Sequence, residues 1–340
     1  MAKKQPETKE YEALRAELAA GTLGRCYVLY GEERYLLERS LEAMRLIILP
    51  GGDNGFDSRR FSGAPAPDEL RSAVDTYPLL SERTLVEVTD YDFSSGLDAL
   101  LPVLRELPEH VCLLFVCAPG GFRADKRTTA VKELFKLASV VEFGAQDAAA
   151  VTSWIRSRFS DAGLTISDAD AEYLAFAAGG YMAPLVSEID KLAAHCEGTV
   201  IRRADIDALV ERAPDAVSYS LTDALISRDF KTAANVLGEL FAMREPPQKI
   251  SYALTARMRA LLLARLYIDR GLGVRDLMAA AGIRYEFQAK KVMAAARGAT
   301  LESCREAVGL CCAAAFRLND GGGQETLSEL LTLFAARRLP

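Results

Sequence analysis

The fold of this chain is indicated by the stretch CYVLYGEERYLL, which occupies residues 26–37 of 340. Its first five residues are apolar or aromatic and stop at Gly31, as is typical of a buried strand that ends in a turn. Apolar residues then recur at helical spacing as far as Ile48. The stretch therefore predicts a strand, a turn and a helix at the start of an α/β domain.

The same alternation of strand and helix patterns continues to residue 145. Four further strands are predicted at Asp57–Phe61, Thr84–Thr89, Val111–Cys117 and Ser139–Phe143. The third of these is the most apolar, which predicts a position in the centre of the sheet. We therefore expect a mostly parallel sheet between two layers of helices.

Strand signals disappear from Asp147 onward. Four short helical patterns lie between residues 151 and 210, and the segment 213–215 (Ala-Pro-Asp) is a predicted hinge. Further helical patterns, separated by glycine and proline, continue to the end. The predicted fold class is therefore α/β plus all-α, with domains at residues 1–145, 146–213 and 214–340.

The turn after the first predicted strand lacks a phosphate-binding motif. In nucleotide-binding α/β domains this turn carries GxxxxGK[ST], whose amides, lysine and hydroxyl hold phosphate and magnesium. Here Gly31 is followed by Glu32, Glu33 and Arg34, and the second glycine, the lysine and the hydroxyl residue are missing. We therefore expect a domain that binds no nucleotide cofactor and acts through interaction.

Composition argues against metal and hydrolytic chemistry. The seven cysteines form no CxxC pair and the two histidines lie far apart, which favours buried thiols in a reducing cytoplasm. No apolar run approaches the ~18–20 residues that cross a bilayer, and the N-terminus has no apolar signal segment. We expect a cytoplasmic protein with no catalytic residue, no metal and no membrane partner.

Charge is distributed unevenly along the chain. The net charge is −6, yet residues 215–340 carry 17 basic and 13 acidic side chains. Residues 244–297 alone contain 11 basic and 4 acidic residues. This basic block is either a set of solvated helix faces or a surface that contacts phosphates with little sequence preference.

Six segments of the chain form a recognisable series in order and spacing. They lie at residues 26–38, at residues 77–86 (YPLLSERTLV), at Trp154-Ile155, at residues 188–192 (EIDKL), at residues 201–210 and at Arg257-Met258-Arg259. Together they resemble the delta subunit family of bacterial DNA polymerase III, which is part of the clamp loader, and the first run is similar to the N-terminal signature of that family.

The resemblance implies an AAA+-like domain with a degenerate phosphate loop, a small helical lid and a helical collar. It implies a subunit that binds and opens the ring-shaped sliding clamp (the beta subunit), while sister subunits hydrolyse ATP. The clamp contact of the family falls on Leu79 and Leu80 here. From the sequence alone, these leucines either protrude or cap the core above the third strand.

The resemblance also gives the basic block a candidate partner. If the loader encloses primer–template DNA, the candidate contacts to the DNA backbone are Arg257, Arg259, Arg284, Lys290 and Lys291. Tyr285 and Phe287 either stack on a base or, as we prefer, pack in the core. The collar is expected to bind the other clamp-loader subunits.

Two alternative functions remain open at this point. One is an ATP-binding sister subunit of the same complex, and the other is a helical adaptor that uses a degenerate NTPase fold for an unrelated partner. Under the preferred interpretation the chain has no catalytic site of its own and is a component of the DNA-directed DNA polymerase (nucleotidyltransferase) holoenzyme.

Overall fold

The computed structural model describes residues 9–53, 55–125, 127–196 and 198–339. These residues divide into two compact units, one that ends at Gln146 and one that begins at Asp147.

The first unit alternates helices and strands as predicted. Its elements are α1 (Lys9–Ala20), β1 (Cys26–Gly31), α2 (Arg34–Ile48), β2 (Ser58–Ser62), α3 (Pro67–Asp75), β3 (Thr84–Thr89), α4 (Phe93–Arg105), β4 (Val111–Val116), α5 (Thr129–Leu137) and β5 (Ser139–Phe143). All five strands pair in parallel, in the order β2-β3-β4-β1-β5. The mostly parallel sheet and the central position of the Val111 strand are therefore confirmed.

Hydrophobic cores form on both faces of this sheet, because successive strand side chains point to opposite sides. On β1, Val28 joins the core beneath α3, α4 and α5, whereas Tyr27 and Leu29 join the core beneath α1 and α2. Every residue of β4 is buried, which explains its unbroken apolar run.

The helix α1 is an element that the sequence pattern did not predict. Only Tyr11 and Leu14 are buried in it, so its apolar stripe is too short to give a clear helical period. The Tyr11 ring packs edge-on against Phe143 of β5, with centroids 5.3 Å apart. The sheet thus stabilises a helix that is weakly marked in sequence.

The second unit is almost entirely helical. Its elements are α6 (Ala148–Asp161), β6 (Thr165–Ile166), α7 (Asp168–Ala177), α8 (Met182–His195), β7 (Val200–Ile201), α9 (Arg203–Leu209), α10 (Pro214–Ile226), α11 (Phe230–Ala242), α12 (Pro247–Asp269), α13 (Val274–Ala281), α14 (Glu286–Arg297), α15 (Leu301–Asn319) and α16 (Gln324–Arg337). The expectation that strands are absent after Asp147 is wrong, because β6 and β7 form a short parallel pair. Two-residue strands are too short to produce a periodic signal.

The second unit contains two hydrophobic cores. One is built from α6–α9 and includes Tyr285, and the other is built from α10–α16. The further boundary proposed at residues 213/214 coincides with the start of α10, where Pro214 occupies the first turn. The three-domain division itself stays a prediction.

The cysteines are only partly as expected. Five are buried, whereas Cys196 is half-buried and Cys312 is exposed. Among the described residues, no helix has both the length and the apolar character that a bilayer crossing requires. The same residues contain no group of three or more His, Cys, Asp or Glu side chains arranged to hold a metal ion.

Candidate partner-binding surface

The leucine pair lies on a segment between α3 and β3, which we call the apolar tip (residues 77–83). Leu79 is 71% exposed and Leu80 is 67% exposed. The alternative that they cap the core above β3 is therefore wrong. Two adjacent leucines at this level of exposure present apolar surface to solvent on the outside of the domain.

The backbone of the tip is held by one buried carboxylate. Asp57, the residue before β2, accepts hydrogen bonds from three consecutive backbone amides: Leu79 N–H at 2.6 Å, Leu80 N–H at 2.8 Å and Ser81 N–H at 2.6 Å. The side chain is fully buried. The hydrogen bonds from these amides, of which that from Leu79 has the largest effect, lower the pKa of Asp57 to about 2, because they stabilise the charged carboxylate.

Both ends of the tip are also tied to the domain. The Arg83 guanidinium donates to the carbonyls of Leu23 at 2.8 Å, Gly24 at 2.7 Å and Val111 at 2.8 Å. At the other end, the Tyr77 ring stacks on His110 with centroids 4.2 Å apart. The tip therefore presents two exposed leucine side chains on a segment that is held at its start, middle and end.

The position of the tip in the fold distinguishes it from a small-molecule site. Ligands of parallel α/β sheets bind outside the carboxyl ends of the strands. The tip instead lies at the amino ends of β2 and β3, where Asp57 and Arg83 immediately precede the strands. The tip thus lies at the end of the sheet opposite to the turn after β1.

The turn after β1 is held by close contacts and hydrogen bonds within the chain. Gly31 has φ = 136°, and a Cβ atom there would lie 2.2 Å from the Phe143 carbonyl oxygen. The Glu33 amide donates to that oxygen at 2.9 Å, and the Arg34 amide donates to the Glu32 carbonyl at 3.0 Å. Two amides of this turn are therefore used in hydrogen bonds within the chain, whereas the amides of a phosphate-binding turn point at the ligand. This geometry argues against the ATP-binding alternative.

Arg257 of the basic block is buried, which contradicts its prediction as a DNA contact. Arg257 is only 7% exposed. Its guanidinium donates to the Tyr219 hydroxyl at 3.3 Å and the Gln288 carbonyl at 3.5 Å, and it lies 3.8 Å from an Asp223 oxygen. Desolvation lowers its pKa. This side chain joins α12 to α10 and α14.

The other four candidates differ in exposure. Arg259 is exposed, as are Lys290 and Lys291. Lys290 pairs with Glu286 at 3.0 Å and Lys291 with Asp223 at 2.7 Å. Arg284 is half-buried and donates to the Gly180 carbonyl at 3.3 Å.

The two aromatic residues near this block belong to the interior. Tyr285 is 6% exposed, and its ring lies 5.6 Å from that of Phe176. Phe287 packs on the same Phe176 ring at 5.4 Å and on Tyr219 at 6.0 Å. The preferred interpretation, that Tyr285 and Phe287 pack in the core, is confirmed. They link α7 to α10 and α14.

The sequence did not identify Asp57 and Arg83 as parts of the site. Asp57 was interpreted as the first residue of a strand, and Arg83 as part of a polar turn. The available signal was a charged residue directly before each of two neighbouring strands. A parallel sheet places such positions at one edge.

The fold and the turn after β1 define the class of protein: a parallel α/β domain whose first turn lacks the GxxxxGK[ST] residues, followed by helical modules. The chain belongs to the delta subunit family of DNA polymerase III. The family model described as "DNA polymerase III, delta subunit" matches residues 27–144, and "DNA polymerase III delta subunit, C-terminal domain" matches residues 216–335. The resemblance drawn from the sequence motifs is therefore confirmed.

Two relatives illustrate the degree of similarity. The DNA polymerase III subunit delta of Bacillus subtilis (strain 168) is 24% identical over 292 residues, which cover 82% of this chain and 83% of the relative. The solved structure of the Bacillus subtilis DNA clamp loader delta protein (YqeN) has a TM-score of 0.51 at 20% identity. The match covers 96% of this chain and 99% of the chain in that solved structure. At this identity the structural similarity shows the fold.

Proposed function

We propose that this chain binds the ring-shaped sliding clamp through Leu79 and Leu80 and favours the open ring, without hydrolysing ATP itself. The observation that carries the proposal is the combination of two exposed leucines with a fixed backbone. A pre-ordered segment binds more tightly than a mobile one, because less conformational entropy is lost on association.

The size of the contact is sufficient for an anchor. Complete burial of one leucine side chain contributes about 1.5–3 kcal/mol. Since about 70% of each side chain is exposed in the free protein, a pocket that covers both would contribute about 2–4 kcal/mol. This matches the one or two side chains that dominate many interfaces.

Ring opening then requires differential affinity rather than chemistry. A partner that binds the open ring better than the closed ring shifts the population by that difference. A shift from 1:99 to 99:1 needs about 5.5 kcal/mol, which exceeds the contribution of the two leucines. Further contacts of the same domain with the clamp therefore belong to the proposal.

The turn after β1, which lacks the GxxxxGK[ST] residues, supports a division of labour in which sister subunits bind and hydrolyse ATP. We propose that residues 214–340 form a collar that binds the other clamp-loader subunits, as the name of the YqeN protein associates it with a clamp loader. Primer–template DNA would contact the exposed Arg259, Lys290 and Lys291 in the assembled loader, and the complex would act in the cytoplasm.

The test uses the sliding clamp of the same organism. The Leu79→Ala/Leu80→Ala double variant should lose retention of the clamp on a column, because its anchor is removed. The control is a Leu272→Ala/Leu333→Ala variant, since both leucines are exposed (39% each) in the second unit. Equal retention by the two variants would refute the proposal.

A separate measurement tests the opening step. Ring opening is followed by a fluorescent pair placed across one clamp interface. The wild-type chain should separate the pair without nucleotide, whereas the double variant should not. If the clamp binds the wild-type chain but stays closed, the chain is a clamp-binding subunit only, and the opening function is contradicted.

A further inference from the structure

Asp57 is connected to the tip across 22 to 24 residues of sequence. Its two parts have separate tasks. The backbone carbonyl accepts the Leu85 amide at 2.8 Å, which continues the pairing of β2 with β3. The carboxylate accepts the hydrogen bonds from the three amides of the tip.

The carboxylate matches these donors by charge and geometry. Oδ1 accepts from Leu79, and Oδ2 accepts from Leu80 and Ser81. Hydrogen bonds from amides to an ionised carboxylate are stronger than those between neutral groups. Three such bonds fix the backbone at the two leucines themselves, whereas Arg83 and Tyr77 fix only the ends.

We propose that Asp57 is a positioning residue for partner binding: its carboxylate holds the apolar tip in the conformation that presents Leu79 and Leu80. This inference rests on the proposed function and names a residue directly before β2 that acts through the tip. Without the carboxylate, the leucines stay on the surface, but each association must first order the segment that carries them.

Asp57→Asn separates charge and geometry from size. Asparagine keeps the volume of the aspartate side chain, but it has only one acceptor oxygen. Its NH₂ group is a donor, so it cannot accept hydrogen bonds from the backbone N–H groups that it faces. Ser58→Ala is the matched control, because Ser58 is the next residue, is equally part of the buried start of β2 and donates to Asp53 rather than to the tip.

The first arm of the experiment measures amide hydrogen exchange in the free, full-length chain. Asp57→Asn should accelerate exchange at Leu79, Leu80 and Ser81 by at least tenfold, while the amides of β3 and β4 keep their protection. Ser58→Ala should leave the tip amides unchanged. Unchanged tip protection in Asp57→Asn overturns the proposal. General loss of protection would mean that the Asp57→Asn variant unfolds. The measurement is then repeated with Asp57→Ser, which keeps one oxygen acceptor in a smaller side chain.

The second arm measures the dissociation constant for the purified sliding clamp of the same organism. Asp57→Asn should weaken binding by about tenfold, and Ser58→Ala should not change it. In a double-mutant cycle with Leu80→Ala, the effect of Asp57→Asn should shrink, because both changes act through the same contact. Full additivity would indicate a general structural effect and would overturn the proposal.

The outcomes separate the two proposals. If Leu79→Ala/Leu80→Ala abolishes binding and Asp57→Asn keeps the wild-type affinity, the positioning role fails alone. If the double leucine variant keeps the wild-type affinity, the proposed clamp contact fails and the positioning role fails with it, even where exchange at the tip increases.

Discussion

Arg257 and Arg259 lie two residues apart on α12, and the structure predicts opposite consequences for their substitution. Arg257→Met removes a buried guanidinium that contacts the Tyr219 hydroxyl, the Gln288 carbonyl and the carboxylate of Asp223. Arg259→Met changes an exposed side chain. The pair thus forms a matched comparison within one turn of helix.

The magnitude follows from what each substitution leaves behind. Removal of one partner from a buried ion pair typically costs about 3–5 kcal/mol. Here the Asp223 side chain is 25% exposed and keeps Lys291 at 2.7 Å, so we expect a lower value of about 2–3 kcal/mol. For a unit of this size that corresponds to a decrease in Tm of about 5–10 °C.

The assay is thermal unfolding of the full chain, followed by circular dichroism. Arg257→Met should unfold at the lower temperature, and Arg259→Met should stay within about 2 °C of the wild type, as exposed substitutions usually do. Asp223→Asn provides a second test of the same contact, because it should lower Tm as well. Equal melting of the two arginine variants would refute the structural role of Arg257.

Three further predictions follow from the same structure. In the assembled loader, Arg259→Met should weaken binding to primer–template DNA of every sequence and lower the salt slope by about one; an unchanged slope would exclude this contact. Gly31→Ala should destabilise the first unit by at least about 2 kcal/mol, since φ = 136° is strained for any other residue and the new Cβ would lie 2.2 Å from the Phe143 carbonyl oxygen. A free energy of unfolding in urea equal to that of the wild type would contradict this prediction. Because the pKa of Asp57 is lowered to about 2 from its usual value of 3.8, the contribution of its carboxylate is complete above about pH 4 and is lost as the pH falls toward 2. Exchange at the Leu79 amide should accelerate in that window beyond the intrinsic pH effect, and it should not do so in Asp57→Asn.

Much of the first unit was predictable from local patterns. Five predicted strands appear within one residue of their observed ends, and four of them are short, largely apolar runs bounded by turn residues. The run from Val111 is buried on both faces, which is why its composition alone indicated the centre of the sheet. In contrast, α1 buries only two side chains, and β6 and β7 have two residues each. None of the three therefore has enough buried apolar residues to establish a period.

The site was predictable only in part. The sequence indicated that Leu79 and Leu80 form an apolar pair in a polar turn, but it left open whether they are exposed. Burial depends on which elements pack over a segment, and no helix covers this one among the described residues. The anchor at Asp57 was missed because it joins two segments more than twenty residues apart.

The amino-acid sequence by itself determined the strand–helix order, the central strand and the absence of a phosphate motif after β1, because these depend on the types and spacing of neighbouring residues. Tertiary structure decided which charged residues face solvent and which hold the molecule together. Arg257 and Arg259 have the same side chain on the same helix, and only the contacts with α10 and α14 separate an interior ion pair from a surface cation. Asp57 likewise became the anchor of the tip only when the parallel sheet placed its carboxylate beside three amides of another segment.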